Sequence, residues 1–314
     1  MNGPPLLVGV DGGGTKTLGI IADSEGHELA RHQVGASNPN VVGIEASSRS
    51  IFDLIAGCCA GAGCGIGRVG TVVIGLAGAG SKPIGAQLLG SLRALLAEKI
   101  STPPEVLIET DARIALEGAF DGGCGAIMIA GTGSIIMGKA PDGAVLVVGG
   151  WGRVLGDEGG GYFLGLEALK AVTRDFDGLA GSGSLRAILA ERHGLDTRER
   201  IISAVYQENF PIPSIAPLVL EAAAANEKIP LEILEKGAAG LTAQLEAFVR
   251  RLNAPGCLGL VFIGGLIDHE TVYAKVIRES ISRTLPIVEI RRPLFPPVQG
   301  AVIMARAASG KSTR

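Results

Sequence analysis

A short glycine-rich motif, DGGGTKT at residues 11–17, constrains the fold of this chain more than any other stretch. Apolar runs lie directly before it at residues 6–10 and directly after it at residues 18–22, and both are typical of buried β-strands. The glycines are therefore predicted to form the turn of a β-hairpin. Three consecutive glycines leave the backbone free to take φ > 0 and to approach a ligand closely.

The residues of this turn suit a phosphate group accompanied by a cation. Successive backbone N–H groups in a turn bind anions, and residues 15–17 add two hydroxyls and one ammonium group. Asp11 makes sense beside phosphates if Mg²⁺ lies between them. An ordinary glycine hairpin with a turn aspartate and a solvated Lys16 is the alternative. A Walker A loop and a dinucleotide fingerprint do not fit, because both pass from strand to helix.

The order of predicted elements occurs twice along the chain. The first part reads βββαβαβα, with residues 36–40 as a loop. A second set of strand, turn, strand, turn and strand starts at residue 126 and carries GTGS at its first turn. We interpret this echo as an internal duplication that gives two like α/β domains. The predicted elements of the first part are strands at residues 6–10, 18–22, 28–34, 71–76 and 106–111, and helices near 43–60, 84–95 and 112–119.

The second part is longer because it includes a helical region. Apolar stripes at helical spacing, from Phe163 to Phe176 and from Ala238 to Leu252, indicate helices packed on a core. The remaining predicted elements are strands at residues 126–130, 135–137, 144–148, 258–263 and 287–290, and helices near 270–285 and 300–308. The domains are predicted to cover residues 1–117 with 298–314, and residues 118–297.

Composition excludes several classes of partner. The 314 residues carry a net charge of −3 and no basic stripe, so we expect no nucleic-acid partner. The uncharged stretch 122–138 is short and glycine-rich, so we expect no membrane partner. The N-terminus lacks a basic region before an apolar one, and no C-x-x-C pair is present. These features predict a cytoplasmic protein with reduced thiols at Cys58, Cys59, Cys64, Cys124 and Cys257.

Taken together, the motifs resemble the superfamily of sugar kinases, actin and heat-shock chaperone ATPases. Within it, the chain resembles the BadF/BadG/BcrA/BcrD family, and most of all its N-acetylglucosamine and glucosamine kinase branch. The resemblance covers nearly the whole chain, although the helical middle matches by position only. The matching motifs, in family order, are DGGGTKT at 11–17, GASNP at 35–39, TDA at 110–112, AGTGS at 130–134, GGWG at 149–152 with LGDEG at 155–159, and IGG at 263–265.

This resemblance implies two ribonuclease-H-like domains around a nucleotide cleft. It also implies an ATP-dependent kinase that phosphorylates the 6-hydroxyl of a small amino sugar, N-acetylglucosamine or glucosamine, with Mg²⁺. Asp11 would hold the metal and Asp111 would be the general base. The implied nucleotide-binding residues are Gly12, Gly13, Gly14, Thr15, Lys16, Thr17, Gly131, Thr132, Gly133, Ser134, Gly264 and Gly265. The implied sugar-binding residues are Asn38, Gly150, Trp151 and Asp157.

Each of these roles has a structural alternative. Asp111 ends a predicted strand and opens a helix, where aspartate is a favoured N-cap. Trp151 is the single tryptophan and could be a core residue, although glycines at 149, 150 and 152 favour an exposed loop. Asp157 could complement the dipole of the helix that follows it.

Two other functions compete with the kinase. The first is the ATPase activator of acyl-CoA reductases or dehydratases, which resembles the same family and bridges two subunits with an iron–sulfur cluster; Cys124 is the residue to consider. The second is a non-catalytic sugar sensor. The sequence leaves the N-substituent of the sugar and the oligomeric state open, with a homodimer as one expectation.

Overall fold

The computed structural model describes residues 3–78, 82–253 and 256–310. Contacts between Cα atoms group the chain into two compact units, Met1–Cys124 with Arg292–Arg314, and Gly125–Arg291. The domain bounds predicted from the sequence stay a prediction, and residues 311–314 of the predicted first domain lie outside the described residues.

The first unit is built on a sheet with the strand order β3-β2-β1-β4-β5. Strands β1, β2 and β3 pair antiparallel, whereas β1, β4 and β5 are parallel neighbours. Its strands are β1 Leu6–Gly12, β2 Thr17–Ala22, β3 Glu28–Val34, β4 Val69–Leu76 and β5 Glu105–Thr110. Its helices are α1 Pro39–Val42, α2 Ile44–Gly61, α3 Lys82–Lys99, α4 Asp111–Ala119 and α11 Pro297–Ser309, with a 3-10 turn at Ile66–Arg68.

Side chains alternate across this sheet and make a core on each face. Val8 and Val10 pack with β4 and with helices α2 and α3. Leu7 packs on the opposite face with Ile114 of α4 and with α11. Gly9 lies on that second face, where a Cβ atom would be 2.7 Å from the carbonyl oxygen of Val298, so glycine allows α11 to approach the sheet.

The second unit has a sheet in the order β10-β9-β6-β7-β8. Its strands are β6 Gly125–Ala130, β7 Ser134–Lys139, β8 Val145–Gly149, β9 Leu258–Ile263 and β10 Val288–Arg291. Its helices are α5 Gly161–Phe176, α6 Leu185–His193, α7 Arg198–Tyr206, α8 Ala216–Ala224, α9 Lys228–Leu252 and α10 Val272–Thr284, with a 3-10 turn at Ile212–Ile215.

The two sheets confirm the predicted duplication. Strands β6, β7 and β8 pair antiparallel and β6, β9 and β10 are parallel neighbours, which repeats the order and directions of the first sheet. In each unit the helices that follow the third strand lead to the fourth. The second unit carries five helices at this point, α5 to α9, which agrees with the predicted helical region.

One local prediction was wrong. Residues 36–40 are not all loop, because the short helix α1 begins at Pro39 with Asn38 as its N-cap. Within the described parts of the chain, none of the helices combines the length and the apolar character that crossing a bilayer requires.

Candidate functional site

The turn between β1 and β2 presents free backbone donors. The N–H of Gly13 donates to the carbonyl oxygen of Lys16 at 3.0 Å and closes the turn. The next three N–H groups, those of Gly14, Thr15 and Lys16, donate to no acceptor among the described residues, and all three residues are exposed. Such a run of free amides can bind a phosphate group.

Gly12 is needed for space, and none of the three glycines of this turn is needed for positive φ. None of the three, Gly12 to Gly14, lies among the described glycines with φ > 0, so that part of the sequence argument was wrong. A Cβ atom on Gly12 would overlap the side chains of Leu76 and Ser37. Gly14 is open, with its nearest neighbour 3.8 Å from a built Cβ atom. The open side of Gly14 is where a ligand can approach.

Thr17 faces the protein interior. Its side chain is fully buried, and its hydroxyl oxygen lies 2.8 Å from the carbonyl oxygen of Gly35 and 2.7 Å from Oγ of Ser37. The exposed side chains at the turn are therefore those of Thr15 and Lys16.

Two carboxylates lie at the same edge of the first sheet. Because β1, β4 and β5 are parallel, their carboxyl ends share one edge, which is where α/β sheets bind ligands. Asp11 is half-buried at the end of β1, and Asp111 follows β5. Burial and repulsion from Asp111 raise the pKa of Asp11, and Lys16 lowers it.

The structure corrects the capping alternative for Asp111. The N-cap of α4 is Thr110, whose hydroxyl accepts the N–H of Arg113 at 3.1 Å. Asp111 is the first residue of the helix, is exposed, and accepts the N–H of Ala112 at 2.8 Å. Its carboxylate therefore stays accessible to a ligand.

Asn38 is fixed next to the first turn. The N–H groups of Ser37 and Asn38 both donate to the carbonyl oxygen of Gly13 at 3.1 Å. The Asn38 side-chain oxygen accepts the N–H of Asn40 at 2.9 Å. It also lies 2.8 Å from a Cβ atom built on Gly78, just after β4, so Asn38 belongs to the same edge as both carboxylates. Its side-chain nitrogen donates to no described residue and is left for a ligand.

The turn between β6 and β7 has a similar set of free amides in the second unit. Its carbonyl oxygens are occupied: the N–H of Gly161 donates to Gly131 at 2.7 Å and the N–H of Tyr162 donates to Thr132 at 2.9 Å. The N–H groups of Thr132 and Gly133 donate to no acceptor among the described residues. The first residues of α5 therefore hold this turn through its carbonyl oxygens, and the amides of the turn remain available.

Ser134 joins this turn to the loop that carries the predicted sugar-binding residues. Its carbonyl oxygen accepts the N–H of Gly150 at 3.0 Å, and its hydroxyl donates to the carbonyl oxygen of Glu158 at 2.7 Å. A Cβ atom on Gly133 would overlap the carboxylate of Asp157, so Asp157 lies against the turn. Asp157 adopts φ 61°, an uncommon value for a residue with a side chain.

Trp151 is exposed at 75% of its surface, as the flanking glycines predicted. Gly150 and Gly152 take φ of 70° and 84°, values that side chains disfavour, and so fix the loop on both sides of the indole. Val154 and Leu155 on the same loop are 84% and 77% exposed. The predicted sugar-binding residues did not include Val154 or Leu155, although three large apolar residues within positions 151–155 are a signal in the sequence.

Gly264 and Gly265 directly follow β9 and differ in their surroundings. Gly264 takes φ 105°, and a Cβ atom on it would be 2.5 Å from the carbonyl oxygen of Ala130. Gly265 has nothing within 4 Å of a built Cβ atom. The close approach at Gly264 is thus to the neighbouring strand β6, and the open position is Gly265.

Two residues of this region were missed or set aside by sequence reasoning. Gln244 of α9 donates to the Glu158 carboxylate at 2.7 Å. No motif contains Gln244, and 86 residues separate the partners, so no local pattern could have indicated the contact.

In the described parts of the chain, no group of three or more His, Cys, Asp or Glu side chains is placed to hold a metal ion.

The duplicated α/β sheet, with a turn of free amides after the first strand of each copy, agrees with the fold that the sequence resemblance implies, that of sugar kinases and actin-like ATPases. The chain belongs to the BadF/BadG/BcrA/BcrD ATPase family, whose profile matches residues 8–305.

Two curated relatives are similar to this chain over almost their full length. The N-acetyl-D-glucosamine kinase of Dictyostelium discoideum is 29% identical, with 96% of this chain and 97% of the relative covered. The N-acetylmuramic acid/N-acetylglucosamine kinase of Clostridium acetobutylicum is 28% identical, with 96% and 98% covered. A crystal structure from Chromobacterium violaceum is 25% identical, with 96% of this chain and 99% of that chain covered and a TM-score of 0.69.

Proposed function

We propose that this protein is an ATP-dependent kinase that phosphorylates the 6-hydroxyl of N-acetylglucosamine or glucosamine. One observation carries the proposal: Asp111 projects an accessible carboxylate from the edge of the sheet that also holds Asn38 and the free amides of Gly14 to Lys16. The names of both full-length relatives support the same reaction.

We assign Asp111 the role of general base. Phosphoryl transfer has a loose transition state, so the attacking hydroxyl needs orientation and gives up its proton late. One Asp111 oxygen accepts the N–H of Ala112, which fixes the orientation of the carboxylate. The second oxygen remains free among the described residues to accept the proton of the sugar hydroxyl.

We assign phosphate binding to both turns of free amides. Gly14, Thr15 and Lys16 provide donors in the first unit, and Thr132 and Gly133 provide them in the second. Fixed amide donors stabilise charge that develops on phosphate oxygens without reorganising. Gly265, with open space beside its Cα atom, is assigned to the adenosine.

The residues near Asp11 fit a magnesium ion. The negative charge there is incompletely compensated, since burial and Asp111 raise the pKa of Asp11 while Lys16 alone lowers it. Mg²⁺ prefers few carboxylates and completes its shell with water and phosphate oxygens, so a three-residue cluster is not required. When bound, the ion would neutralise phosphate charge, and Asp11 would hold it.

We assign sugar binding to the four residues that the family resemblance implies, Asn38, Gly150, Trp151 and Asp157. The exposed indole offers an apolar face to a pyranose ring. The Asn38 amide nitrogen and the Asp157 carboxylate can bond to hydroxyl groups.

Cytoplasmic location and a homodimer are further proposals, to be tested by cell fractionation and by light scattering.

A coupled ADP-release assay tests the proposal directly. The panel is N-acetylglucosamine, glucosamine, N-acetylmuramic acid, N-acetylmannosamine and glucose, and NMR of the product identifies the phosphorylated oxygen. We expect turnover with an N-acetylglucosamine-type or glucosamine-type sugar and phosphate on O6. Hydrolysis of ATP at the same rate with and without every sugar would overturn the kinase and favour the activator-type ATPase. Saturable sugar binding without turnover would favour the sensor.

A further inference from the structure

Glu158 and Gln244 form a half-buried polar contact beside the loop of residues 150–158, which carries Gly150, Trp151 and Asp157. Gln244 lies on α9, and its side-chain N–H donates to the Glu158 carboxylate at 2.7 Å. The carbonyl oxygen of the same amide is buried and has no partner among the described residues. Because a carboxylate only accepts, the amide must turn its nitrogen toward Glu158 even though its oxygen is left unpaired.

The backbone comes close to both side chains of this pair. A Cβ atom on Gly240 would be 2.8 Å from Cβ of Glu158, and one on Gly149 would be 2.5 Å from the side-chain oxygen of Gln244. The pair therefore lies between α9 and the end of β8. Close packing of this kind favours one arrangement of both side chains.

The contact reaches the proposed sugar-binding residues through two bonds. The Glu158 carbonyl oxygen accepts the Ser134 hydroxyl, and the Ser134 carbonyl oxygen accepts the N–H of Gly150. Asp157 directly precedes Glu158, and Trp151 directly follows Gly150. Gly150 and Glu158, at the two ends of the loop, are thus both hydrogen-bonded to Ser134. The Glu158 side chain is also hydrogen-bonded to Gln244 of α9.

We propose that Glu158 and Gln244 are positioning residues that hold Asp157 and Trp151 in the arrangement that binds the amino sugar. The proposal rests on the proposed function for its ligand. It gives α9 a role in sugar affinity, although α9 supplies none of the predicted site residues.

The first test replaces Gln244 with leucine, which removes the donor but keeps the approximate size. In Gln244→Leu we expect the sugar KM to rise about tenfold, as for a lost bond to a charged group, with kcat and the ATP KM within about twofold of wild type. Gln87→Leu is the matched control, because Gln87 is an exposed helical glutamine of the first unit. Thermal unfolding of each variant shows whether the fold is retained.

The second test reverses the partners. Gln244→Glu places two carboxylates side by side and should weaken sugar binding further than leucine does. Adding Glu158→Gln to that variant restores one amide and one carboxylate with exchanged roles. We expect the double variant to recover the sugar KM to within about threefold of wild type, which a general loss of stability would not do.

A readout without sugar separates this proposal from the proposed function. The fluorescence anisotropy of Trp151, the single tryptophan, should fall in Gln244→Leu and recover in the double variant. An unchanged anisotropy and an unchanged sugar KM in folded Gln244→Leu would overturn the positioning role. A double variant that binds sugar no better than Gln244→Glu would overturn it as well. A wild-type protein inactive on every amino sugar, yet with this anisotropy pattern, would overturn the proposed function while supporting the positioning of the loop.

Discussion

Asp11 and Asp111 repel each other across the end of β4, and this repulsion adds to burial in raising the pKa of Asp11. Asp11 is the penultimate residue of β1, and Asp111 opens α4 directly after β5. Two parallel strand pairings therefore bring to one edge two carboxylates that are 100 positions apart in the sequence. The arrangement suits a cation beside one carboxylate and a hydroxyl group beside the other.

Asp111→Asn should remove the proton acceptor while keeping the side-chain size and the bond to Ala112. We expect kcat to fall by at least ~10²-fold, the low end of general-base contributions, with the sugar KM largely unchanged. Steady-state kinetics with the preferred sugar measures both values. Asp53→Asn, at an exposed position of α2, is the matched control. Near wild-type turnover in Asp111→Asn would remove Asp111 from the mechanism.

Asp11→Asn should weaken the response to magnesium. We expect wild-type activity to be lost in EDTA and restored by Mg²⁺, and the half-maximal Mg²⁺ concentration to rise roughly tenfold in the variant, equivalent to about 1.4 kcal/mol. Titration of activity with Mg²⁺ at saturating ATP measures the shift. An identical Mg²⁺ curve for variant and wild type would exclude Asp11 as a metal-binding residue.

Gly14→Val should interfere with nucleotide binding and leave the fold intact. A Cβ atom on Gly14 has its nearest neighbour at 3.8 Å, so the side chain fits, but it stands beside the free amides of the turn. We expect ATP affinity to fall by at least about tenfold. Isothermal titration with ATP measures affinity. Gly65→Val is a suitable control, because Gly65 is also open and has extended backbone, φ −88° and ψ 157°.

Gly264→Ala should lower the free energy of unfolding, whereas Gly265→Ala should leave it nearly unchanged. At Gly264 both the φ of 105° and the Ala130 carbonyl oxygen oppose a side chain, so we expect a loss of about 1–3 kcal/mol in the free energy of unfolding. At Gly265 we expect less than about 0.5 kcal/mol, because the position is open. Urea unfolding measures both. If Gly265 lies beside adenosine, Gly265→Leu should raise the ATP KM, and an unchanged ATP KM would count against that assignment.

Trp151 should report sugar binding without a label. The indole is 75% exposed, so a sugar ring placed against it should change the emission, whereas ATP alone should change it little. Emission spectra recorded during titration with each sugar measure the effect, and Trp151→Phe identifies the background. Emission that ignores every amino sugar would contradict the assignment of Trp151 to the sugar.

Local sequence patterns were sufficient for the strands of both sheets and for their duplication. The strands at residues 28–34 and 258–263 were predicted with the bounds that the structure shows, because the turn residues before Glu28 and the apolar run from Leu258 to Ile263 are both local features of the chain. The exposed loop at Trp151 was predicted for the same reason, since the flanking glycines are its immediate neighbours.

Tertiary structure decided what local patterns could not. Gly12 is required by Leu76 and Ser37, and Gly264 by Ala130, so the reason for each glycine lies on another element. The contact of Gln244 with Glu158 likewise joins distant segments. So do the hydrogen bonds that Ser134 makes with Gly150 and Glu158. A motif specifies which groups are present at a turn. Which of them stay free for a ligand depends on the bonds that other segments make to that turn, and only the folded chain fixes those bonds.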